Sequence, residues 1–131
     1  MGTRSTSHFE IDTWDPETFH DADGVQLIRT RVTKTFTGDL EGTSTAELLM
    51  AMGGQEGSAA YVGFELITGR LGGRKGSFVL HHTATSAPEG QAASWTIVPD
   101  TGTGELTGIA GEGRIDNDPD TGHALALDYT V

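Results

Sequence analysis

Eight short runs of β-forming residues, each closed off by a cluster of Gly, Asp or Pro, set the tightest limit on what this chain can become. The runs cover residues 7–14, 25–36, 42–52, 59–67, 74–83, 92–99, 105–115 and 123–131. Asp15-Pro16-Glu17, Thr37-Gly38-Asp39, Gly53-Gly54, Gly72-Gly73 and the stretches 87–90, 101–104 and 116–122 separate them. Residues 46–52 have some helical character, but Gly42 and Gly53-Gly54 bound them too tightly, and a strand is expected there. Strands this short, so regularly interrupted, indicate a meander, a sandwich or a barrel.

With 131 residues the chain fits one domain, expected over residues 7–131 behind a disordered tail at 1–6. Cysteine is absent, which excludes disulfides and thiolate zinc sites and suits a reducing compartment. No apolar run approaches the roughly 20 residues of a membrane span, and residues 1–8 lack a signal peptide's apolar core. A cytoplasmic protein with no membrane partner is expected. The net charge of −11 repels phosphate backbones, so nucleic acid is not an expected partner either. The 19 glycines fit turns and barrel corners rather than disorder.

Alternation assigns faces. Phe78, Leu80 and His82 share one side of the fifth run, and Tyr61, Gly63 and Glu65 share one side of the fourth. Several runs are apolar on both sides, which leaves a homodimer or homotrimer open. If Gly72-Gly73 form a two-residue type I′ turn, paired residue numbers sum to 145. His82 then faces Gly63, with Tyr61 and Glu65 as its diagonal neighbours. A carboxylate and an imidazole facing an apolar interior are candidates for acid–base work, and Gly63 leaves room above the sheet for a ligand.

Other motifs carry less. His81 and His82 are adjacent on a strand and point to opposite faces, so they cannot chelate one ion, and no metal site is expected. Residues 116–122 imitate a calcium loop but place the Gly one position late and Leu127 where a Glu is needed; they read as a hairpin turn. The glycines at 102, 104 and 108 have the wrong spacing for a dinucleotide fingerprint. Gly108, Gly111 and Gly113 look like bulges that curve a strand.

The strings Lys34-Thr35-Phe36-Thr37-Gly38-Asp39-Leu40-Glu41-Gly42, Tyr61-Val62-Gly63-Phe64-Glu65, Gly73-Arg74-Lys75-Gly76-Ser77-Phe78-Val79-Leu80 and Gly102-Thr103-Gly104-Glu105-Leu106, with Leu127-Asp128-Tyr129, resemble a bacterial family. It is domain-of-unknown-function family 3224, and the likeness runs from Phe9 to Val131. Thr101 and His81 depart from its pattern, where Ser and Gln are usual. The resemblance implies an all-β fold, a closed eight-stranded antiparallel meander barrel similar to plant allene oxide cyclase. Eight strands leave an interior that is either packed or wide enough for one small ligand.

Two functions are expected from this. One is a cofactor-independent isomerase or cyclase acting on a small hydrophobic substrate inside the barrel. There Glu65, His82 and Tyr61 would be catalytic, and Trp14, Phe78, Leu80, Trp95, His123 and Tyr129 would shape the pocket. The other is a non-enzymatic barrel that holds a hydrophobic ligand or binds another protein.

Overall fold

The computed structural model describes residues 2–120 and 122–131. Its strands are β1 (Thr3–Ala22), β2 (Val25–Gly38), β3 (Leu40–Met52), β4 (Ala59–Leu71), β5 (Arg74–Ala87), β6 (Gly90–Ile97), β7 (Ala110–Asp118) and β8 (Gly122–Thr130). Each pairs antiparallel with its neighbour in sequence, and β8 returns to β1, closing an all-β eight-stranded barrel. Closure pairs β1 with β8 from Thr3 to Phe9, and there removes the sheet edges that an open meander would carry.

The register follows from the turns. Gly72 and Gly73 have φ of 58° and 85°, the pair of positive values that a type I′ turn requires. They align β4 and β5 so that Gly63 faces His82 and Glu65 faces Leu80, as the sum of 145 predicts. Asp23 and Gly24 make a like turn, with φ of 57° and 80°, between β1 and β2.

Three expectations are corrected. Asp15-Pro16-Glu17 is no turn: β1 runs through it, paired with Arg31, Thr30 and Arg29. Strand β1 pairs with β8 from Thr3 to Phe9, so its other edge is unpaired at Pro16, and the missing N–H costs no ladder bond. Thr3 to Thr6, expected in a tail, pair with Tyr129, Asp128, Leu127 and Ala126; Met1 lies outside the described residues. Residues 105–109 are not strand. A 3-10 turn at Gly104–Leu106 drops Leu106 and Ile109 into the core, and β7 starts at Ala110. Gly108 thus lies in a turn rather than in a curved strand.

The barrel is packed at one end. Leu40, Ile67, Leu71, Phe78, Leu80 and Leu127 are each at most 1% exposed, and Leu106 and Ile109 plug the same end. The two-sided apolar pattern is also real. Leu49, Val62, Phe64 and Leu66 lie on the outer wall of β3 and β4 and are exposed, with Phe64 stacked on the outward-facing His81.

A buried ion pair beside an apolar cavity

Strand β2 sends Val32, Lys34 and Phe36 inward, which places a lysine where alternation calls for an apolar residue. Ser44 faces Lys34 across β3, and Glu65 on β4 faces Ala46, one inward position along from Ser44. The three polar side chains therefore meet inside the barrel. Lys34 Nζ donates to Glu65 Oε1 at 3.3 Å, and Ser44 Oγ donates to Oε2 at 2.5 Å. Both ions are buried, Lys34 at 8% exposure and Glu65 at 1%. The ammonium also lies 4.6 Å from the Phe9 ring centroid, a cation–π contact that helps replace its lost water.

His82 completes the set. The indole N–H of Trp95 donates to His82 Nδ1 at 2.7 Å, and an indole nitrogen can only donate. Nδ1 therefore carries no proton. His82 Nε2 stands 2.7 Å from Glu65 Oε1 and must carry the hydrogen that this contact shares. The imidazole is thereby fixed as one neutral tautomer with both nitrogens engaged. Burial alone pushes a carboxyl up. The hydrogen bond from His82 leads the opposing effects, followed by the charge of Lys34, the electrostatic pull of the imidazole and the Ser44 hydroxyl, and Glu65 is held down at about 2.

Above this cluster lies a cavity of about 220 Å³. Phe9, Val32, Ala46, Leu48, Met50 and Ile115 give it mostly apolar walls, while Lys34, Tyr61 and His82 border it with polar atoms. Burial pushes the Tyr61 phenol above its ordinary range and the Glu65 charge adds to this, so the O–H keeps its proton. At the mouth, Trp14 is 51% exposed, and His123 stacks on Phe9 while its Nδ1 contacts Asn117 Oδ1.

The expected site residues separate into three groups. Tyr61, His82, Trp14 and His123 border the cavity. Glu65 and Trp95 stand behind it, holding His82 from two sides. Phe78, Leu80 and Tyr129 belong to the packed end and do not line the cavity. The space above Gly63, expected to admit a ligand, is taken by Leu48, whose Cδ2 lies 2.5 Å from where a Cβ would stand. Lys34 and Ser44 went unrecognised as site residues, although the alternation of Val32, Lys34 and Phe36 marks Lys34 as inward. Among the described residues, no three His, Asp or Glu side chains are grouped to hold a metal ion.

Comparison with known proteins agrees with this architecture. A crystal structure of a protein of unknown function from Shewanella oneidensis MR-1 superposes with a TM-score of 0.91 at 36% identity. The match covers 99% of this chain and 97% of the other. No curated protein matches the chain. The family model described as protein of unknown function (DUF3224) matches residues 5–129, and the chain belongs to that family.

Proposed function

We propose that the barrel is a binding protein for a small apolar molecule, which it takes up through the open end and seats above Lys34. The observation that carries this reading is the division of the interior: one end is filled, while the other keeps an apolar space with a single lysine in its wall. A volume of 220 Å³ falls below the roughly 300–1,000 Å³ of pockets for drug-sized molecules, so the ligand is small. Glu65 and His82 act as positioning residues here. Three donors occupy the carboxylate and both imidazole nitrogens are engaged, which leaves neither ready to move a proton.

The isomerase or cyclase reading comes second, favoured by Tyr61 and Lys34 bordering the same apolar space with proton-bearing groups. Chemical conversion of a bound ligand, abolished in Tyr61→Phe, would promote it to first.

The test of binding uses the chain's two tryptophans, Trp14 at the mouth and Trp95 behind His82, as fluorescent reporters. Titration with linear alkanes of increasing length should change their emission saturably. Ala46 borders the cavity beside Val32 and Leu48, and Ala46→Leu should fill the space and weaken binding about tenfold, the effect of roughly 1.4 kcal/mol, with the far-ultraviolet circular dichroism unchanged. Unaltered binding in Ala46→Leu would place the alkane elsewhere and remove the reading.

A further inference from the structure

The cavity is electrically complete before anything enters it. Lys34 contributes one positive charge, Glu65 one negative, and His82, held by Trp95 and Glu65, none. An anionic ligand would leave an uncompensated negative charge in an apolar enclosure, inside a chain already at −11. A cationic ligand would face the Lys34 ammonium and find the Glu65 oxygens already occupied by Lys34, His82 and Ser44. Both kinds of ion are disfavoured for the same reason: no counter-charge remains to meet them.

Hydrogen-bonding capacity narrows the class further. An ammonium has three N–H bonds, of which Glu65 takes one. Tyr61 adds a protonated O–H on the same wall, a second group able to donate. The acceptors beside them are spent, because His82 Nδ1 takes the Trp95 N–H and Glu65 takes three donors. The inner wall thus offers donors and wants an acceptor. Met50 and Tyr61 also wall an adjoining hollow of about 280 Å³, where Ala59, Ala84 and Ala93 leave room for an aliphatic tail.

From this balance we infer that the ligand is an uncharged aliphatic molecule with one carbonyl oxygen, a ketone, aldehyde or ester, seated on Lys34 and Tyr61. The inference rests on the proposal that the cavity is a ligand site. It adds the ligand's charge and the polarity of its one anchoring atom. The contact is a hydrogen bond, and no bond to the carbonyl carbon forms.

Four compounds of matched chain length test it: methyl heptyl ketone, nonane, nonanoate and nonylamine, each titrated against the intact protein by tryptophan fluorescence. The ketone should bind tightest. Nonane should bind about tenfold more weakly, the effect of one hydrogen bond to a charged donor, and both ions at least as weakly as nonane. Nonanoate or nonylamine matching the ketone would overturn the inference while leaving a ligand site in place. Failure of all four to bind would overturn the underlying proposal as well. In Lys34→Met the ketone should lose its advantage over nonane while nonane still binds, and a retained advantage would remove Lys34 from the role. The wild-type ranking decides the ligand class even if that variant does not fold.

Discussion

Glu65→Ala should destabilise the barrel by about 3–5 kcal/mol in urea, because it strands the Lys34 ammonium in the interior. The substitution also removes the acceptor for Ser44 and His82, so three donors lose their partner at once. Joining it to Lys34→Met separates the two costs. In the double variant no charge is left unpaired, and stability should return most of the way toward wild type, since apolar replacement of a buried pair is often neutral or favourable. A loss below about 1 kcal/mol in the single variant would mean that Lys34 swings into water, and that the pair does not order the cavity.

The same carboxyl governs the acid limb of stability. Its folded value of about 2 lies below the ordinary 4.5, so the folded state binds the proton less readily than the unfolded chain. Its contribution is complete above the ordinary value and is lost as pH falls toward about 2. The size is about 3 kcal/mol, from roughly 1.4 kcal/mol per unit on a group hidden from solvent. Urea midpoints measured from neutral pH downward should therefore fall steeply through that window. In Glu65→Gln this part of the slope should vanish. Asp128 is also held below its ordinary range by its hydrogen bond to Arg4, but it sits on the surface, so Asp128→Asn should leave the slope nearly intact.

What sequence alone conveyed about this site follows the geometry of strands. Alternation is a local property, so it correctly put Tyr61, Glu65 and His82 on the inner face, and the Gly72-Gly73 turn fixed their register. Height along the barrel axis is not local, because it depends on how far each strand is staggered against the next around the whole circuit. Phe78, Leu80 and His82 share one face of β5, yet the first two fill the closed end and the third borders the cavity. Lys34 was hidden for another reason. Alternation turns it inward, but a lone inward lysine has no evident role until its partner is known, and that partner is 31 positions away on β4. The tautomer of His82 likewise depends on Trp95, whose place opposite His82 is set by β5–β6 pairing rather than by any motif.

Gly69→Ala should cost about 3 kcal/mol or more, at the upper end of overpacking effects, although it adds one methyl group. Gly42, Gly69 and Gly76 are register partners on β3, β4 and β5, forming a bare lane across the inner wall at the packed end. A Cβ on Gly69 would overlap the Glu41 carbonyl oxygen and stand 2.7 Å from Gly42 Cα, so the obstacle is backbone, which has no rotamer to yield. On Gly76 it would overlap the Thr103 carbonyl oxygen, in the loop that brings Leu106 into the core. The lane is where the sheet folds closely enough on itself to close, and side chains there would hold the strands apart. Gly73→Ala supplies the contrast. It has open space around it but a φ of 85°, so it should cost only about 1 kcal/mol of turn strain. Reversal of this order, with Gly69→Ala the milder change, would show that β3 and β4 can separate without loss, and that the close approach is not what shapes the barrel.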